Sequence, residues 1–230
     1  GEYSTVFSLF GNDSFLQDFI INQLDETFLK DGGGKFHFSL GDDNETELFR
    51  ELSSYSLFEE KRLFIIRQVQ RFTKDGRKVL EEYIKSPDPS NCVVLISEEY
   101  NTQKSFLKML ASNTDLIDVR PPFTNKMNDW VQYVVKIREY KISTNMINYF
   151  LQQFGDSIAN VINEIEKAQI MVGIGNRIDE TTLESISFWN RGYQPWNLQD
   201  SIGSRELDKS LKIFNSLLEN GTPLTSILIT

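Results

Sequence analysis

The chain has 230 residues, 40% hydrophobic and 12% aromatic, enough to bury a sizeable core and too apolar to be disordered along its whole length. A formal charge of −9 argues against a protein that coats nucleic acid through many phosphate contacts, while leaving room for a local one. One cysteine, Cys92, and one histidine, His37, exclude an internal disulfide and leave a four-ligand zinc site remote. No apolar run approaches the roughly 18 residues of a membrane span, and no signal segment opens the chain, so a soluble cytoplasmic protein is expected.

Val6-Phe7-Ser8-Leu9-Phe10, ending at Gly11, reads as a buried strand. Ser14 and Gln17 then have the spacing of a capping box, and Leu16, Ile20, Leu24 and Phe28 follow at helical intervals, widened by Phe15 and Phe19. Asp31-Gly32-Gly33-Gly34 turns the chain into a short strand, Phe36-His37-Phe38. Asp42-Asp43-Asn44 opens a helix with Leu48, Phe49 and Leu52 on its apolar side. Leu63-Phe64-Ile65-Ile66 and Val93-Val94-Leu95-Ile96 are the continuous apolar runs of strands covered on both faces. Between them a helix over 74–85 stops at Ser86-Pro87-Asp88-Pro89. A helix over 102–110 and a last strand, Leu116-Ile117-Asp118-Val119, complete an α/β layered domain with a mainly parallel sheet.

Pro121-Pro122 breaks the pattern, and beyond it the strands are expected to stop. Trp130, Val131, Val134, Val135 and Ile137 share one helix; Met146, Ile147, Phe150, Leu151 and Phe154 share the next, with Gly155 placed as its cap. Ile158, Val161, Ile162, Ile165 and Ala168 define a third helix, ended near Gly173. From Ser187 the composition shifts again, and two further helices are expected over 196–202 and 206–218. The expected organisation is an α/β domain over 1–121, a small helical domain over 122–186 and the start of a third, helical domain over 187–230, cut short.

Chemistry-bearing motifs are sparse. A P-loop needs Gly-x-x-x-x-Gly-Lys-Ser/Thr between a strand and its helix, because glycine amides cradle phosphate and the lysine and hydroxyl complete the site. The corresponding Gly11-Asn12-Asp13-Ser14-Phe15-Leu16-Gln17-Asp18 has one glycine, no lysine, and acids where phosphate would sit, so no nucleotide site is expected. His37 has no second histidine or partnered nucleophile, and Cys92 reads as a small core residue. Asp42 and Asp43 suit a helix N-terminus better than a metal pair. Between residues 61 and 78, Lys61, Arg62, Arg67, Arg71, Lys74, Arg77 and Lys78 face Asp75 alone, a local charge of +6. Arg67, Arg71, Lys74, Arg77 and Lys78 are candidate contacts for DNA or an acidic partner, with a solvated helix face as the alternative. Adjacent Leu57 and Phe58 fall where a surface loop or helix tip is expected; they either enter a partner's pocket or tuck back under the sheet.

Ser56-Leu57-Phe58-Glu59-Glu60-Lys61-Arg62-Leu63 resembles the SLF-x-x-[KR]-[RK]-hydrophobic segment of the delta subunit of bacterial DNA polymerase III. Residues 6–16 resemble that family's first strand and turn, residues 80–96 its Pro-x-Pro stretch and following strand, Glu164-Ile165-Glu166-Lys167 its middle domain, and residues 197–202 the opening of its collar. The matches run in family order along essentially the whole chain, with a divergent, Phe-rich N-terminal region and a short collar. The resemblance implies an AAA+-like parallel-sheet domain, a helical lid-type domain and a helical collar. It also implies a non-catalytic clamp-loader subunit, without cofactor, that grips and opens the sliding clamp during loading onto primed DNA. Its partners would be the clamp and, through the collar, the ATP-binding and delta-prime subunits, in the cytoplasmic, nucleoid-associated replisome; DNA would be met indirectly. By position Leu57 and Phe58 match the hydrophobic plug that enters the clamp, flanked by Ser56 and Tyr55. Two rival readings are a degenerate AAA+-like adaptor for another partner, and a metal-dependent α/β enzyme using Asp42, Asp43 or Glu47.

Overall fold

The computed structural model describes residues 5–30, 32–41, 44–54, 60–101, 103–179, 195–219, 223–224 and 227. The chain divides into two compact units, residues 1–131 with 154–161 and residues 132–153 with 162–230.

In the first unit, β1 (Val6–Phe10) leads into α1 (Ser14–Phe28), then β2 (Gly34–Ser39), α2 (Glu45–Ser53), β3 (Arg62–Arg67), a 3-10 turn (Val69–Arg71), α3 (Lys74–Lys85), β4 (Asn91–Ser97), α4 (Ser105–Asn113) and β5 (Asp115–Asp118). The strands form one five-stranded sheet in the order β2-β3-β4-β1-β5, every pair parallel. Parallel neighbours need crossovers, which is why a helix separates each strand from the next. The central strands β3 and β4 are the apolar runs: Leu63, Phe64, Ile65, Ile66, Val93, Val94 and Leu95 are all fully buried. On one face Val6, Phe10, Phe64, Ile66, Val93 and Leu95 form a continuous core with Leu48 and Leu52 of α2, Leu80 and Ile84 of α3, and Phe106, Leu107 and Leu110 of α4. The residues alternating with them, Leu9, Leu63, Ile65, Cys92, Val94 and Ile96, are equally buried. Burial pushes the Cys92 thiol up to about 12, leaving it a small apolar core group.

Several details differ from expectation, among them the end of β5, which stops at Asp118 rather than Val119. The cap of α1 is Asp13, not Ser14: the Asp13 carboxylate accepts from the Leu16 amide at 3.0 Å, and Gln17 turns instead to the Gly11 carbonyl. α4 begins at Ser105 and runs to Asn113, because its cap, Lys104, makes no side-chain capping bond that would have marked it in sequence. Strand pairing also recurs after Pro122, as the two-residue strands of the second unit.

A carboxylate from α2 caps α3. Glu45 accepts from the Thr73 amide and hydroxyl, both at 2.7 Å, at the positive end of that helix. Gly76 lies beneath it: a Cβ there would meet the Glu45 Oε2 and sit 2.9 Å from its Cδ and 3.0 Å from Phe72 Cδ1. Gly76→Ala is therefore expected to destabilise by about 1 kcal/mol, although alanine in a helix interior normally gains about that much over glycine. The same substitution in a Glu45→Ala background should be neutral or stabilising, which paired thermal melts would show.

The helices α5 (Thr124–Ile137), α6 (Thr144–Phe154) and α7 (Ile158–Val172) follow, with β6 (Lys141–Ile142) paired in parallel to β7 (Arg177–Ile178). In the second unit Val134, Val135, Met146, Ile147, Phe150, Ile162, Ile165 and Ala168 are buried, and Arg138 is ion-paired with Glu166. Gly173, at φ +91°, follows α7. Helices α8 (Pro195–Gly203) and α9 (Leu207–Glu219) pack through Leu198, Ile213 and Leu217, with Ser201 and Ser210 hydroxyls bonded at 2.9 Å.

Candidate functional site

Two places in the α/β unit carry the chemistry of interest, the turn after β1 and the gap between α2 and β3. At the first, the Gly11 amide donates to the Ser97 carbonyl at 2.9 Å and the Asp13 amide to the Val119 carbonyl at 3.0 Å. Gly11 takes φ +137°, and a Cβ on it would collide with the backbone of Val119 and Arg120. Gln17, 5% exposed, donates to the Gly11 carbonyl at 2.8 Å and accepts from Arg67 Nη1 at 2.7 Å, while Arg67 Nη2 reaches Asp18 at 3.2 Å. The amides of Gly11, Asp13 and Leu16 are all bonded to protein oxygens. The turn is closed on itself by backbone contacts and by its own carboxylate at the start of α1.

At the second, Arg62 opens β3 and is only 3% exposed. Its Nη2 donates to the Ser54 carbonyl at 2.6 Å, its Nη1 to the Glu51 carbonyl at 3.0 Å and the Ser54 hydroxyl at 3.1 Å, and its Nε to Asn91 Oδ1 at 3.0 Å. Asn91, fully buried, donates to the Leu52 carbonyl at 3.1 Å and to the Tyr83 hydroxyl at 3.3 Å. Arg62 and Asn91 face each other in register at the start of β3 and β4. Together they donate to carbonyls at the C-terminal end of α2, where the Glu51 carbonyl also accepts from the Ser54 amide and hydroxyl, and the negative end of that helix balances the buried guanidinium. Among the described residues no carboxylate forms an ion pair with Arg62. Asp88 nearby is held below the usual carboxylate range, first by its hydrogen bond from Ser90 and in smaller part by the Arg62 charge. Burial pushes the Tyr83 phenol up. Sequence reasoning placed Arg62 in the basic stretch; the structure puts it in the interior. The signal that marks it is Asn91 at the head of an apolar strand, an amide that needs buried partners.

Tyr55, Ser56, Leu57 and Phe58, the residues matched to the plug, lie outside the described residues, as do Asp42 and Asp43. Glu47 is ion-paired with Arg50 at 3.4 Å. His37 lies on an exposed position of β2, its pKa lowered by partial burial and then by Lys35 and Arg67. Among the described residues no three His, Cys, Asp or Glu side chains gather as metal ligands.

The five basic candidates divide. Arg67 is engaged by Gln17 and Asp18, and Arg77 donates to the Gln70 carbonyl at 2.8 Å with its guanidinium 4.7 Å from the Phe106 ring centre. Arg71 lies over Gly41, Lys74 is exposed in the first turn of α3, and Lys78 pairs with Asp75 at 3.3 Å. The last three are exposed, and the Arg67 side chain is partly so.

Comparison with known proteins agrees with these features. Residues 7–120 match the family model of the DNA polymerase III delta subunit. DNA polymerase III subunit delta of Bacillus subtilis is 23% identical over 241 residues, an alignment covering 97% of this chain and 69% of that protein. The solved Bacillus subtilis DNA clamp loader delta protein superposes with a TM-score of 0.70 at 20% identity, covering all of this chain and 71% of that one. The fold is α/β, with a parallel five-stranded sheet and helices after it. By the family model over its α/β unit and by an alignment along nearly its whole length, this chain belongs to the DNA polymerase III delta-subunit family.

Proposed function

We propose that this chain is the delta subunit of a bacterial clamp loader, binding the sliding clamp and holding it open for loading onto primed DNA without binding ATP itself. The observation that carries the nucleotide half of this reading is the turn after β1. In a P-loop the glycine amides and the first amides of the helix point at phosphate. Here those of Gly11, Asp13 and Leu16 are committed to Ser97, Val119 and Asp13, and the Asp13 carboxylate occupies the helix end where an anion would lie. A chain that cannot hold ATP works beside subunits that do.

In this reading residues 1–121 form the clamp-binding domain, 122–186 a lid-type helical domain and 187–230 the start of the collar that joins the ATP-binding and delta-prime subunits. Leu57 and Phe58 enter the clamp, flanked by Tyr55 and Ser56. Arg71, Lys74 and Lys78 are the basic side chains that remain available to DNA or an acidic partner. The subunit then acts in the cytoplasm at the replisome and carries no catalytic residue of its own.

The test is calorimetry of this chain with magnesium ATP at up to millimolar concentration, beside titration with the sliding clamp from the same organism. No nucleotide heat and a saturable clamp isotherm unaffected by ATP are expected. A micromolar ATP site, or no clamp binding, contradicts the proposal.

A further inference from the structure

We infer that Arg62 is a positioning residue for clamp binding: its guanidinium ties together the two stems between which residues 55–59 run. The inference rests on the clamp-binding reading above and goes beyond it by naming what holds the contact segment in place. On the exit side the backbone is already anchored, because the Arg62 amide donates to the Ser90 carbonyl at 2.9 Å and the Lys61 carbonyl accepts from the Gly34 amide at 3.1 Å. On the entry side the Ser54 carbonyl is gripped by Arg62 Nη2 at 2.6 Å, and Ser54 Oγ and the Glu51 carbonyl by Nη1. One side chain thus links the first residue of β3 to the last described residue before the segment.

The way α2 ends supports a directing role. Helices commonly stop on a glycine in the left-handed region, which turns the chain back over its own last carbonyls. α2 ends instead on Ser54 in an extended conformation, φ −79° and ψ 143°. The carbonyls of Glu51, Leu52 and Ser54 each accept from the Arg62–Asn91 pair, that of Glu51 in addition to the Ser54 amide and hydroxyl. A buried charge held by neutral carbonyls is a costly way to stabilise a core, and an apolar residue of similar volume often serves stability as well or better. What the planar fork adds is geometry: it addresses several acceptors at fixed angles, which a lysine ammonium cannot reproduce.

The experiment uses the full chain and the sliding clamp from the same organism, with binding measured calorimetrically well below the melting transition and folding checked by circular dichroism. Arg62→Lys keeps the charge and loses the fork; clamp affinity is expected to fall about tenfold, the scale of one lost charge-assisted hydrogen bond. In a Leu57→Ala/Phe58→Ala background the same substitution should change affinity by less than about twofold, because a residue that acts by placing those side chains has nothing left to place. A general structural defect would instead lower affinity equally in both backgrounds, and that additive result overturns the inference, as does parent-like affinity of a folded Arg62→Lys chain. If Arg62→Lys does not fold, Ser54→Ala removes one partner of the fork and should weaken binding about threefold in the parent and not in the double-alanine background; parent-like affinity overturns the inference. Should the Leu57→Ala/Phe58→Ala chain itself bind like the parent, the plug reading falls and the inference falls with it, whereas a weak plug variant beside parent-like Arg62→Lys removes only the role of Arg62.

Discussion

Replacing Leu57 and Phe58 together by alanine is expected to weaken binding to the sliding clamp by about a hundredfold or more, while moving the melting temperature by little. Interface energy concentrates in a few large apolar anchors that enter a preformed pocket, each costing on the order of 2 kcal/mol or more when truncated, and every 1.4 kcal/mol is about tenfold. The two side chains lie in sequence between α2, which buries Leu48 and Leu52, and Arg62, whose side chain and strand are already part of the interior. The apolar positions on both sides of the segment are thus filled by other residues. The competing reading, in which Leu57 and Phe58 turn back under the sheet, makes a different forecast. Truncating two core side chains costs several kcal/mol through cavity formation, and in a chain of this size each kcal/mol lowers the melting temperature by about 2–4 °C. Melting and clamp affinity measured on the same double variant separate the two readings. A fall of about 10 °C or more would put the pair in the core, and an unchanged affinity would remove them from the interface.

The sheet was legible from the residues themselves, whereas the assignment of Leu57 and Phe58 as a plug rests on resemblance and on the proposal above. Leu63 to Ile66 and Val93 to Ile96 announced central strands because residues buried on both faces leave no alternation, and their near-zero exposure agrees. The segment around Leu57 and Phe58 was legible only through its resemblance to a family motif, since an apolar pair beside a charge run fits a plug and a core contact equally well. α3 was readable because Ser86-Pro87 stops one amphipathic pattern, and the structure adds Thr73 as its cap. At α1 the Ser14–Gln17 spacing pointed to Ser14 as the cap, whereas the structure uses Asp13. The choice is made by the Val119 carbonyl, which holds the Asp13 amide and is more than a hundred residues away in sequence. The pair β6 and β7 carries no periodicity at two residues each. Arg62 was hidden inside a charge run, because counting charges does not distinguish a guanidinium in solvent from one that closes a helix end. The positively charged stretch shrinks accordingly once Arg62, Arg67 and Arg77 are seen to be held by protein groups.

Gly11→Ala is expected to be the most damaging single-methyl addition in the α/β unit, destabilising by about 3 kcal/mol or more. Two independent terms combine. The residue holds φ +137°, a region that side-chain-bearing residues enter only with strain of order 1–3 kcal/mol. The new Cβ would also fall against Arg120 N and the Val119 carbonyl group, backbone atoms that no rotamer change can move. Relief requires β1 and the chain after β5 to separate, which disturbs the bonds from Val119 N to Phe10 O at 2.9 Å and from Asp13 N to Val119 O at 3.0 Å. Gly32 provides the control: at φ +99° it carries backbone strain, but an added methyl would have no atom within 4 Å, so Gly32→Ala should cost only the conformational part, about 1 kcal/mol. At about 2–4 °C per kcal/mol, the Gly11 variant should melt about 6–12 °C below the parent and clearly below the Gly32 variant. Equal melting of the two would mean that the turn after β1 opens readily, and with it the geometry that sets this site apart from a phosphate-binding loop.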